Sequence, residues 1–204
     1  MALGTYSGLS DAVTSWMSDR SDILTHFDDF LLLAESDINR FLRVREMETT
    51  SSLTPDSDGK ATIPDGYLEY RAVIWTGTPR RELKLIDPMQ AEALYGYRES
   101  DTPRNFTIIG DTIQVLPVST TAISLVHYTE VPALTSSATT NWLLTKCPNI
   151  YLFGVCRYAY AWLRDEADEP AMNGRFMDEI MKLNADDKGQ RYARSAARGQ
   201  GQRP

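Results

Sequence analysis

The sequence predicts an α+β protein: an antiparallel bundle of about four helices, a small antiparallel β-sandwich or barrel inserted into it, and an extended C-terminal tail. Three observations carry this expectation. Apolar residues recur at helical spacing near both ends of the chain and at period two between them. Turn-forming clusters crowd the middle. Residues 188–204 are basic and poor in large apolar groups. The expected divisions are 1–46 and 132–187 for the two parts of the bundle, 47–131 for the β domain, and 188–204 for the tail.

The first element is a short amphipathic helix over 7–18. Tyr6, Leu9, Val13, Trp16 and Met17 share a face, and Ser7 or Ser10 is placed to cap it. Arg20-Ser21-Asp22 breaks the pattern. From His26 to Val44, the residues Phe27, Phe30, Leu31, Ala34, Ile38, Phe41 and Leu42 form one stripe. The outer face is expected to carry Asp28, Asp29, Glu35, Asp37, Arg40 and Arg43, acids early and arginines late, as the helix dipole favours.

Residues 49–66 read as a turn-rich interval containing Thr54–Gly59 and Pro64-Asp65-Gly66. Tyr67–Trp75 and Arg81–Ile86 follow as strands. Asp87-Pro88 pairs a capping residue with a proline suited to the first turn of a short helix through Tyr95. Asn105–Ile109 and Thr112–Leu116 read as a hairpin joined at Gly110-Asp111, and Ala122–Glu130 as the last strand. A polar connection spans 132–148.

Asn149–Leu163 is the organising stretch. At 3.6 residues per turn, Ile150, Phe153, Tyr160 and Leu163 lie on one side and Tyr151, Val155, Tyr158 and Trp162 cover much of the other. A helix apolar around most of its circumference must be enclosed, and its tyrosines need partners for their hydroxyls. The run falls short of the ~20 residues of a membrane span, and Arg157 interrupts it. The acidic corner Asp165–Glu169 then turns the chain, with Asp168 as the cap. A last helix runs to about Asp187 with Met172, Phe176, Ile180 and Leu183 inward.

Charge is divided unevenly. Residues 1–187 hold all 28 acidic residues and 16 of the 21 basic ones, a net of −12; residues 188–204 carry a net of +5. An acidic body repels nucleic acid, whereas a basic segment rich in Gly, Ser, Gln and Ala reads as an interaction arm. The start of the chain lacks the pattern of a signal peptide. Cys147 and Cys156 show no metal-ligand spacing and have no activating base nearby, and no cofactor fingerprint is present. His26 and His127 read as structural. Glu35 with Asp37, or the acids of 165–169, are the remaining acid/base option, as in a peptidoglycan hydrolase serving as an assembly plug. A solvated helix face and a charged turn are the plainer account. The aromatic strand Tyr67–Trp75 lacks the cations of a nucleic-acid platform, which weighs against a soluble nucleic-acid-binding regulator.

The order of elements resembles a known family. It is carried by Arg20-Ser21-Asp22, then Asp29-Phe30, Leu33-Ala34-Glu35, Ile38-Asn39-Arg40 and Leu42-Arg43. Ile63-Pro64-Asp65-Gly66-Tyr67 follows in the insertion, then Asn141–Leu144, Pro148 with Tyr151–Gly154, and the acidic corner. Together these resemble the head-to-tail adaptor proteins of short-tailed bacteriophages, over about residues 1–187. The resemblance implies a non-enzymatic virion protein at the head–tail junction, assembled in the host cytoplasm and lacking a membrane segment or cofactor. It implies a self-associated ring, a dodecamer by analogy, between the portal protein and the tail, nozzle or tail-fibre proteins. Genomic DNA would pass through it without specific binding. The expected portal-docking residues are Lys188, Arg191, Tyr192, Arg194, Arg198 and Arg203.

Overall fold

The computed structural model describes residues 3–96, 101–165 and 167–198, the last seven of these as helical backbone only. The protein is α+β, and its contacts divide it into two units, Met1–Arg45 with Val131–Pro204, and Glu46–Glu130.

In the first unit α1 spans Tyr6–Trp16, α2 Ser21–Thr25 and α3 Phe27–Phe41. The cap of α1 is Thr5, whose hydroxyl accepts the Gly8 N–H at 3.1 Å; Ser7 and Ser10 lie inside the helix instead. The break falls at Ser18 and Asp19, both at φ 59°, and Ser21 already begins the next helix. Helix α3 stops at Phe41, three residues before the expected end, because Leu42 turns to extended backbone with ψ 131°.

Helix α6, Pro148–Leu163, is the hub. It packs against α1, α3, a short helix α5 (Trp142–Lys146) and α7 (Asp168–Arg198). Ile150, Tyr151, Leu152, Gly154, Val155, Cys156 and Ala159 are buried, as an all-round apolar helix requires. Enclosure fails at one end, where Trp162 is 44% exposed and rests on His26 at 5.0 Å between ring centroids. Helix α5 was hidden in the polar connection: Asn141 caps it, its side-chain oxygen accepting the Leu144 N–H at 2.8 Å. The acidic corner is capped by Asp165, which accepts the N–H groups of Ala167 and Asp168; Asp168 is itself helical.

The tail is not extended to the limit of the described residues. Helix α7 continues without a break from Asp168 to Arg198, eleven residues beyond Asp187. The reason is local: Lys188, Gln190, Arg191, Ala193, Arg194, Ala196 and Ala197 are strong helix formers, enough to override Gly189.

In the second unit the strands are β1 Glu48–Leu53, β2 Lys60–Thr62, β3 Tyr67–Trp75, β4 Arg81–Leu85, β5 Asn105–Ile109, β6 Thr112–Leu116 and β7 Ile123–Thr129. Helix α4, Pro88–Tyr95, is capped by Asp87 with proline in its first turn. The strands do not separate into two stacked sheets by hydrogen bonding. They form one seven-stranded sheet in the order β1-β7-β3-β4-β5-β6-β2, all neighbours antiparallel except the short β4–β5 pairing. Val73, Trp75, Leu83, Phe106, Ile113 and Leu125 meet in one core, so the sheet curls around its own inner face. The short, polar edge strands β1 and β2 lie in the interval read as turns. Gly110 makes the β5–β6 turn at φ 56°. Among the described residues no helix is long and apolar enough to cross a membrane.

Gly154 sets the spacing of the helical unit. A Cβ there would stand 3.0 Å from the Phe176 ring and 3.3 Å from Ala34 Cβ, where α3, α6 and α7 converge. Phe176 is fully buried and covered by the Arg157 guanidinium 4.3 Å from its centroid, so it cannot retreat. Gly154→Val is therefore expected to lower stability by about 1–3 kcal/mol by overpacking. Urea unfolding with an unchanged m-value checks it; a neutral result would show that the helices can part.

Candidate partner-binding surfaces

The basic segment emerges from a helix clasped to the body. Asn184 of α7 accepts the Arg43 N–H at 2.9 Å and donates to the Phe41 carbonyl at 3.0 Å, satisfying groups left open where α3 ends. One turn later Asp187, only 6% exposed, accepts the Arg45 N–H at 3.3 Å and pairs with Arg191. These contacts fix α7 to the chain leaving α3 as far as Arg191.

The docking residues expected from sequence therefore divide. Lys188 is exposed. Arg191 is half-buried and committed to Asp187 within the same helix, so it serves as part of the clasp. Tyr192, Arg194 and Arg198 lie on the last turns of α7, whereas Arg203 lies outside the described residues. A helical periodicity carried past Asp187 places Arg191 on the rows that bury Phe176 and Ile180, one turn beyond Asp187.

Glu35 and Asp37 are not members of one solvated face. Two residues apart on a helix, they point to nearly opposite sides. Glu35 is 8% exposed; its Oε1 accepts the Leu134 N–H at 2.8 Å and the Tyr151 hydroxyl at 3.3 Å. Tyr151 in turn receives a hydrogen bond from Asn141 Nδ2 at 2.7 Å, and the same amide reaches the Pro132 carbonyl at 2.6 Å. This network ties the return segment 132–141 to α3 and α6. Asp37 instead pairs with Arg157 and accepts the Tyr158 hydroxyl at 2.6 Å. Arg157 also lies over the Tyr158 ring at 4.5 Å and donates to Asn173 at 2.8 Å, binding α3, α6 and α7 together. Each carboxylate holds helices and loops in place, which accounts for both without catalysis.

Burial pushes the Glu35 carboxyl above its usual range, and the two hydrogen bonds only partly offset that. Burial likewise raises the Cys156 thiol to about 12, leaving it protonated at neutral pH and without nucleophilic character. Among the described residues no group of histidine, cysteine and carboxylate side chains is arranged to hold a metal ion. His127 is buried in β7 with Nδ1 3.3 Å from the Leu125 carbonyl, a structural placement.

The model of the SU10 adaptor protein matches residues 4–200. The chain belongs to the SU10 adaptor protein family. The match takes in both units and the projecting end of α7. The protein is thus a bacteriophage adaptor of structural type, working among other components of the virion. No curated protein matches the chain.

The Glu35 network makes the adaptor's stability depend on pH. A carboxyl raised in the folded state stabilises most while protonated, below its unfolded value, and that contribution is lost as pH rises through the folded value. Glu35→Gln keeps an acceptor for the Leu134 N–H without the charge, so thermal unfolding midpoints should fall less with rising pH in this variant than in the parent. Glu35→Ala should cost about 1–3 kcal/mol by leaving that N–H unpaired. Parallel pH profiles for Glu35→Gln and the parent would exclude a buried ionisable Glu35.

Proposed function

We propose that this adaptor is a ring-forming connector, with twelve copies by analogy, lying between the portal protein and the tail. It acts at the head–tail junction of the virion after assembly in the host cytoplasm. In this reading the helical unit, a bundle of its four longer helices α1, α3, α6 and α7, builds the wall of the ring. The β unit meets neighbouring copies or the tail, nozzle or fibre proteins. The genome passes through the centre without being gripped, because the body is strongly acidic and like charge repels DNA at short range. The ring contacts are head-to-tail and close by rotation.

The observation that supports this most is the C-terminal end of α7. In a family of phage adaptors, a chain with a −12 body sends out a helix that is clasped as far as Arg191 and then continues with Arg194, Arg198 and Arg203 in its sequence. A cationic arm on a rigid stem suits an acidic surface on another ring. We assign that surface to the portal protein, with Lys188, Tyr192, Arg194, Arg198 and Arg203 in contact and Arg191 holding the stem.

Deleting residues 192–204 keeps the clasp and removes the arm. The shortened adaptor is expected to fold and form rings, yet bind purified portal at least about tenfold more weakly at moderate salt. Added salt should erase most of the difference. Attachment as tight as that of the full chain would dispose of the arm assignment.

A further inference from the structure

A groove runs along the N-terminal half of α3, opposite the return segment 133–136. Asp28, Asp29, Leu32 and Glu35 form one side, Ala133 and Leu134 part of the other. No lysine or arginine lines it. His26 Nδ1, 3.7 Å from Asp29 Oδ2, is the one basic group paired with these acids among the described residues. Both hydrogen bonds to Glu35 fall on Oε1; Oε2 has no partner among the described residues, although the side chain is more than nine-tenths buried. Leu32, at 67% exposure, presents an aliphatic surface beside the carboxylates. The groove combines three acids, one incompletely partnered at its floor, with an uncovered leucine.

That combination matches an arginine or lysine beside an aliphatic residue. The long stem of such a side chain covers apolar surface while its head pairs with carboxylate oxygen. The described part of α7 leads away from the groove. Phe176 of α7 lies near Ala34, Asn184 bonds Phe41 and Arg43, and Asp187 bonds Arg45. Helix α7 thus runs in the same direction as α3 and leaves past its C-terminal end, whereas the groove flanks the N-terminal half.

Building on the adaptor reading, we propose that this groove receives a cationic–aliphatic segment of the component attached on the side of the ring away from the portal. The adaptor then offers a cationic arm at one end of its helical unit and an anionic receptor at the other. Asp28 and Asp29 supply the charge, Glu35 Oε2 an acceptor, and Leu32 the apolar contact.

The probe is a fluorescein-labelled Gly-Leu-Arg-Leu-Arg-Gly peptide, titrated with the full chain and followed by anisotropy. Asp29→Lys and Leu32→Lys, both at exposed positions, are each expected to weaken binding by at least about tenfold. Asp111→Lys, on the β5–β6 turn, makes the same change in net charge as Asp29→Lys and is expected to leave binding unchanged. Undiminished binding to the groove variants, or an equal loss in Asp111→Lys, overturns the site. A peptide of residues 188–204 that occupies the groove more tightly than the probe reassigns the occupant to a second copy and overturns the tail-side partner. Portal attachment of the Asp29→Lys variant is expected to be unaffected. Its loss would contradict the placement of the groove away from the portal, while the peptide titration tests the groove independently of whether the arm meets a portal.

Discussion

A helix of sixteen residues with no continuous polar side cannot be left in water, and the helical unit is the consequence of that constraint. Helix α6 requires neighbours on several sides, and the chain supplies α1 and α3 from before the β insertion and α5 and α7 from after it. Gly154 lets α3 and α7 approach closely enough to close the interior there. The polar groups follow from the same demand. Tyr151, Arg157 and Tyr158 project from an otherwise apolar helix, and each is answered by Glu35, Asn141 or Asp37. Buried polar groups without such partners would cost several kcal/mol, so these networks accompany the apolar packing as a necessity.

This division explains how carboxylates that suggest chemistry on paper are engaged in holding the fold. Glu35 fixes the return segment and Asp37 fixes Arg157 across three helices. A pair of acids two positions apart is ambiguous in sequence because their roles depend on what each side of the helix meets. In this adaptor one side meets a loop and the other a guanidinium.

The parts legible in the sequence are those where local pattern and tertiary environment agree. The period of α3, the breadth of the apolar surface of α6, the Asp87-Pro88 start of α4 and the Gly110 turn all have strong local signals. The edge strands β1 and β2 were obscured because Thr, Ser and Lys in an edge position carry no apolar alternation. Glu35 was misplaced because its burial depends on Leu134, ninety-nine residues away. The course of α7 past Asp187 is hidden for the opposite reason: a basic segment rich in Gly, Ser, Gln and Ala reads as an extended arm, although arginine and alanine favour a helix. Of the residues expected to dock, Arg191 belongs to the clasp because Asp187, its partner, is buried.

Because α7 is unbroken from Asp168 to Arg198, it spans about 46 Å at the rise of an α-helix. A rod of that length behaves as a lever. A sideways load on its last turns would reach the Asp187–Arg191 and Asn184 attachments before it reached Phe176 and the hub. Those polar attachments form the fulcrum, with Phe176 and Arg198 each about 16 Å from Asp187 on either side of it. Displacement of the last turns would thereby be passed, at similar amplitude, to the point where three helices meet.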